Sequence, residues 1–94
     1  MRLGIPKETK AGEKRVAISP DVVKLLTKAG FQCNIESDAG LSASFTNEAY
    51  KLAGASIAAN AEEIYSSSDI VLKVNAPNQE EASKMKEGIC LISF

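Results

Sequence analysis

The spacing of apolar and polar positions along the chain predicts an alternation of strands and helices. Residues 1–5 form a short apolar run stopped by Pro6, which predicts a first strand. Residues 6–19 show no helical period and predict a long connection. A helix then begins sharply. Ser19 is its N-cap, Pro20 takes the first helical position, and Asp21 lies beside the positive end of the helix dipole. Val22, Leu25, Leu26 and Ala29 follow at helical spacing, and Gly30 ends the helix. Phe31, Cys33 and Ile35 alternate with Gln32, Asn34 and Glu36, the signature of a second strand.

The stretch "SDAGLSAS" at 37–44 reads as a turn-rich loop. Thr46 caps a short helix over 47–53, closed by Gly54, and residues 55–58 give a brief third strand. A third helix is expected over 61–66. The segment "DIVLKV" at 69–74 is nearly all apolar and β-branched, as a strand buried on both faces requires. After "NAPNQ" an acidic-to-basic helix is expected over 80–86, its charge order suiting its dipole, and "ICLISF" makes a fifth strand. Strands and helices alternating at these lengths predict an α/β fold, an open parallel sheet of about five strands with helices on both faces. The chain stops at Phe94 inside an apolar run with no polar tail, which leads us to expect the front portion of something larger, a truncated domain.

Composition narrows the function classes. Apolar residues are 45% of the 94 and charged residues 24%, a globular balance rather than a disordered one. Eleven basic and twelve acidic side chains leave a net charge of −1, which argues against a nucleic-acid binder or a surface that seeks anionic lipid. With no histidine, a Ser/His/Asp triad is impossible and an ordinary zinc site is not expected. Cys33 and Cys90 lie in separate apolar runs and read as two reduced, buried thiols in preference to a disulfide. No G-x-G-x-x-G or P-loop pattern occurs, and no apolar run approaches the ~20 residues of a membrane span. The start does not read as a secretory leader, since Gly4 and Pro6 replace an apolar core after Arg2.

Candidate chemistry gathers where the sheet's carboxyl edge is expected. Ligands of open parallel sheets bind there, and the loops at 7–19, 37–45 and 75–79 would share that edge. Between Lys7 and Arg15 the first loop holds Lys7, Lys10, Lys14 and Arg15 against Glu8 and Glu13. Lys73 sits among apolar neighbours in "IVLKV", so its ammonium must reach past the strand end or find a carboxylate. Two readings stand for each cation. Taken alone, Lys73 is a snorkelling or ion-paired lysine and Arg15 a surface ion-pair partner. Taken together on one edge they form an anion clamp, with Arg15 binding a carboxylate bidentately and Lys73 polarising a carbonyl. Glu8 is expected to pair with Lys7 or Arg15 in a structural role. Ser19 is expected to serve as a cap only.

The pieces "GIPKE", "GEKRVAISP", "GF", "ESDAG", "ASFTNEAYKLAGA", "DIVLKVNAP" and "LISF", in unbroken order, resemble the amino-terminal domain shared by alanine dehydrogenases and the alpha subunit of NAD(P) transhydrogenase. The resemblance implies a Rossmann-like first domain, incomplete in residues 1–94, that lacks the dinucleotide fingerprint. It further implies a nucleotide-binding domain outside these residues. In the dehydrogenase branch the segment around the lysine more often reads K-V-K-E-P, whereas here Asn75-Ala76-Pro77 follows Lys73-Val74, as in the transhydrogenase branch.

For a transhydrogenase the resemblance implies hydride transfer between NAD(H), held mainly by that further domain, and NADP(H) on a partner component. That transfer is coupled to proton movement through a membrane component. The protein would be a homo-oligomer peripheral to the cytoplasmic side of the inner membrane. For an alanine dehydrogenase it implies a cytoplasmic enzyme in which Arg15 and Lys73 bind the carboxylate and carbonyl of pyruvate. A third reading is a packing module without catalysis. No catalysis and little or no NAD(H) binding are expected of residues 1–94 by themselves.

Overall fold

In the computed structural model residues 1–8, 12–75 and 90–93 are described, and they form one parallel sheet with helices on both faces. In chain order the elements are β1 (Arg2–Ile5), α1 (Pro20–Lys28), β2 (Gln32–Glu36), α2 (Asn47–Leu52), β3 (Ser56–Ala58), α3 (Ala61–Ser67), β4 (Ile70–Lys73) and β5 (Cys90–Ser93), with a 3-10 turn at Leu41–Ala43 before α2. The strands lie in the order β3-β2-β1-β4-β5, every neighbouring pair parallel. The expected fold class is therefore the one observed. The helix expected over 80–86 lies outside the described residues, as do residues 9–11 and 76–79.

This order dictates where the helices go. Right-handed crossovers put α1 and α2, which step outward from β1 to β2 to β3, on one face of the sheet. The return from β3 to β4 must then pass over the other face, and α3 does so, touching β1, β2 and β3. Side chains alternate along a strand, so each face has its own core. Leu3, Ile5, Cys33, Ile35 and Leu72 pack with Val23 of α1 and Tyr50 and Ala53 of α2. Ile5, Ile35 and Val23 have no solvent exposure, and each such side chain stabilises the fold by about 1.5–3 kcal/mol. Ile64 and Tyr65 of α3, with Val71 of β4, are as fully buried but lie outside that cluster.

The caps fall where the residue types placed them. The Ser19 side chain accepts from the Val22 N–H, Pro20 opens α1, and the Thr46 side chain accepts from the Ala49 N–H. Asn60, not singled out from sequence, caps α3 by accepting from the Glu63 N–H at 3.0 Å. The apolar face expected of α1 requires correction. Val23 is its buried residue, whereas Val22 is exposed, Leu25 is 68% exposed and Ala29 is exposed. With four apolar residues in the first seven of α1, two helical stripes were available, and the docking of the helix chose the one through Val23 and Leu26. The cysteine expectation also needs amending. Cys33 is buried, but Cys90 is exposed because β5 is an edge strand. Both are free thiols, and with β1 and β4 between their strands they lie roughly 14 Å apart, beyond disulfide reach.

Gly4 marks the closest approach of α3 to the sheet. A Cβ built there would lie 2.0 Å from Ser68 Oγ and 2.8 Å from Ile64 Cγ2. The Ser68 hydroxyl facing it is buried and has no hydrogen-bond partner among the described residues. Gly4→Ala should therefore lower stability by about 1–3 kcal/mol through overpacking. Denaturant unfolding checks this, and an unchanged midpoint would contradict the close approach of α3.

Candidate functional site

Strand order 3-2-1-4-5 reverses direction between β1 and β4, and in such sheets the crevice outside the carboxyl ends at that point receives ligands. The loop after β1 and the residues after β4 meet there. Glu8 turns back from the first loop onto the end of β4, where its Oε2 accepts from the Val74 N–H at 2.9 Å. Its Oε1 accepts from the Asn75 N–H at 3.2 Å and from Asn75 Nδ2 at 3.4 Å. Lys73 Nζ lies 3.5 Å from the same oxygen, with the lysine side chain 1% and the glutamate side chain 3% exposed. The lysine that needed a carboxylate has found one in Glu8, and the partners expected of Glu8, Lys7 or Arg15, are not the ones it takes. The reason is topological. β1 and β4 are adjacent, so the residue three beyond β1 reaches the end of β4, and Lys7 instead donates its backbone N–H to Glu36 at 2.9 Å.

Arg15 belongs to the same cluster through a second carboxylate. Glu13 Oε2 accepts from Arg15 Nε at 2.9 Å and Glu13 Oε1 from Nη2 at 2.8 Å, a side-on bidentate pair. The Arg15 backbone N–H also donates to Glu13 at 3.0 Å. Glu13 Oε1 further accepts from Asn75 Nδ2 at 2.8 Å. Asn75 is thus the bridge, its one amide nitrogen donating to Glu8 on one side and Glu13 on the other. Arg15 and Lys73 lie on one edge, joined through Glu13, Asn75 and Glu8. They differ in access: the Arg15 side chain is 72% exposed, while Lys73 is sealed. Glu8, Glu13 and Asn75 were not among the residues given a site role from sequence, and no local signal joins them, because Glu8 and Asn75 meet only through the fold.

The loop after β2, residues 37–45, is tied in by Tyr50. Its hydroxyl donates to the Ile18 carbonyl at 2.8 Å, fixing the end of the first loop. Its ring packs edge-on against Phe45 and closes over Gly40, where any Cβ would lie within 2.7 Å of it. Burial pushes the Tyr50 phenol up to about 12, so it stays a neutral donor. Asp38 and Ser44 hold positive φ in this loop, Asp38 supported by its N–H donating to Asn47 Oδ1 at 2.8 Å.

Among the described residues of this edge, the amino end of α1 offers no cradle for a dinucleotide pyrophosphate. The amino end of α1 is closed by Ser19 and opens on Pro20, which has no N–H, followed by the carboxylate of Asp21. Glu8 and Glu13 add two more carboxylates beside it. A groove of about 530 Å³ opens at the other end of the strands, between Arg2, Gln32, Thr27 and Ser56, away from this cluster. Among the described residues no group of His, Cys, Asp or Glu is placed to hold a metal ion, and no helix is long and apolar enough to cross a membrane.

A family model described as the N-terminal domain of alanine dehydrogenase/PNT matches residues 4–94. The chain belongs to the alanine dehydrogenase/PNT N-terminal domain family. Within this family it is 48% identical, over all its residues, to the NAD(P) transhydrogenase subunit alpha of Haemophilus influenzae, of which it covers 18%. It is 40% identical, again over its full length, to the alanine dehydrogenase of Methanococcus maripaludis, covering 25% of that protein. A solved structure of an L-alanine dehydrogenase superposes on the whole chain with a TM-score of 0.96 at 36% identity, the match covering 26% of that structure's chain. The chain thus spans about a fifth to a quarter of the length of the family members it matches.

The cluster makes a pH prediction. Hydrogen bonds from the Arg15 side chain, then from its backbone N–H and from Asn75, hold the Glu13 carboxyl well below its ordinary value of 4.5. A carboxyl depressed in the folded state stabilises the fold above its unfolded value and loses that contribution as pH falls below about 4.5. Glu13→Gln should therefore flatten the decline of the denaturant midpoint between about pH 6 and pH 3. Equal slopes in the two proteins would show that the pair adds nothing.

Proposed function

We propose that this chain is the N-terminal portion of the NAD(H)-binding alpha subunit of a proton-translocating NAD(P) transhydrogenase. The observation that carries the reading is the 48% identity over every residue to an alpha subunit, against 40% to an alanine dehydrogenase. Asn75 supports it, standing where the dehydrogenase pattern K-V-K-E-P would place a second lysine. In the full-length protein NAD(H) is held mainly by a nucleotide-binding domain outside residues 1–94, and NADP(H) by a partner component. The membrane component couples their exchange to proton movement, and the assembly is a homo-oligomer peripheral to the cytoplasmic side of the inner membrane.

Hydride transfer needs two reacting centres held close and dry, usually in a cleft between domains. The carboxyl edge built from Glu8, Glu13, Arg15, Tyr50, Lys73 and Asn75 supplies one firm wall of that cleft. A wall made by side chains that satisfy one another needs no ligand to hold its shape.

A second reading is the matching domain of an alanine dehydrogenase. It is favoured by the exposure of Arg15 on the same edge as Lys73, the positions that would meet the carboxylate and carbonyl of pyruvate. The full-length protein, assembled with its membrane and NADP(H) components, should reduce an NAD⁺ analogue with NADPH and show no alanine-dependent NAD⁺ reduction. Alanine-dependent reduction without such exchange would replace the first reading by the second.

A further inference from the structure

We propose that the outward face of α1 packs against α1 of a second copy of this chain, the two helices antiparallel about a two-fold axis close to Leu25. The inference rests on the homo-oligomer part of the reading above and is the same for either enzyme. Of the two apolar stripes that α1 carries, the domain uses one. Val23 is buried, Leu26 and Thr27 are partly so, and the Thr27 hydroxyl reaches the Ala53 carbonyl at the end of α2. Leu25 lies opposite, about 160° around the helix from Val23 and from Thr27. It is 68% exposed. Val22 and, at the C-cap, Ala29 lie on one flank of it and are exposed as well. On its other flank lie Asp21 and Lys28, both exposed. A helix face turned to water is ordinarily polar, yet the middle of this one is valine, leucine and alanine.

The order of charges selects the occupant. A two-fold axis near Leu25 keeps each flank on its own side and reverses the helix direction. Asp21 then meets Lys28 of the second copy, Lys28 meets its Asp21, Val22 meets its Ala29, and the two Leu25 side chains meet each other. A parallel pair would set like charges side by side. The helix carries one other charge, Lys24, about 100° from Leu25 and so outside the seam. The helix dipole accounts for an acid in the first turn and a base in the last, but not for the apolar residues between them. With nine residues α1 is only about 14 Å long. Its contact with a copy of itself is therefore one part of a larger interface, since a stable one buries about 1,200 Å² or more.

The test is disulfide trapping in the full-length protein. Leu25→Cys changes an exposed side chain and should oxidise to a cross-linked dimer roughly tenfold faster than two controls. One control is Ser66→Cys, exposed on α3 across the sheet, and the other is the wild type, whose Cys90 is exposed. Adding Asp21→Lys turns both ion pairs into repulsions and should slow the cross-link roughly tenfold. Adding Lys28→Glu as well restores opposite signs and should recover most of the rate. In a protein that sediments as an oligomer, a Leu25→Cys rate no greater than that of Ser66→Cys would overturn the proposal and leave the homo-oligomer reading standing. A rate indifferent to the charge changes would overturn it too. A full-length protein that sediments as a monomer would overturn both.

Discussion

The burial of the Lys73 ammonium beside the Glu8 carboxylate is the constraint around which the carboxyl edge of this domain is built. A charged group with 1% exposure, and another with 3%, are each costly to bury alone. Each is made bearable in part by the other, and the remaining lone pairs of Glu8 are met by the N–H groups of Val74 and Asn75. Those two N–H groups lie just past the end of β4, where the ladder no longer supplies acceptors. Glu8 therefore completes the strand's hydrogen bonding while it neutralises the strand's last side chain. The first loop is fastened to β4 as a consequence.

From that fastening the rest of the edge follows. Asn75, oriented by Glu8, reaches Glu13, and Glu13 sets the plane of the Arg15 guanidinium. Tyr50 draws the far end of the same loop down through the Ile18 carbonyl and packs the loop after β2 through Phe45 and Gly40. The described parts of the first loop and of the loop after β2, and Asn75 after β4, are thus joined by side chains that find their partners inside the domain. Such a surface is suited to face another domain without rearranging, and among the described residues the amino end of α1, capped by Ser19 and opening on Pro20, leaves no cradle for a pyrophosphate. The division of labour proposed above, with coenzyme on a further domain and a preformed wall here, is the reading this construction suits.

Much of the fold was legible because the signals were local. Ser19-Pro20, Thr46 and the alternation from Phe31 to Glu36 act within a turn or a strand, and each described element appeared within a residue or two of its expected place. The parallel sheet with helices on both faces followed from the alternation of elements. The stripe of α1 that faces the core was not legible, since Val22, Val23, Leu25 and Leu26 allow two and only docking selects one. The exposure of Cys90 depends on β5 being an edge, which is a property of strand order and not of the "ICLISF" pattern. In the candidate site, sequence required Lys73 either to reach past the strand end or to find a carboxylate, and put Arg15 on the same expected edge. Glu8 as the partner and Asn75 as the bridge could not be read, because both depend on β1 and β4 being neighbours.

A double-mutant cycle on Glu8 and Lys73 tests the central pairing most directly. Glu8→Gln and Lys73→Met, singly and together, would be compared by equilibrium unfolding. Each single change leaves one buried charge without this partner and should cost about 3 kcal/mol, while the double variant should cost about 2 kcal/mol less than the sum of the two. Strictly additive losses would mean that the two charges do not depend on each other, and the carboxyl edge would need another origin.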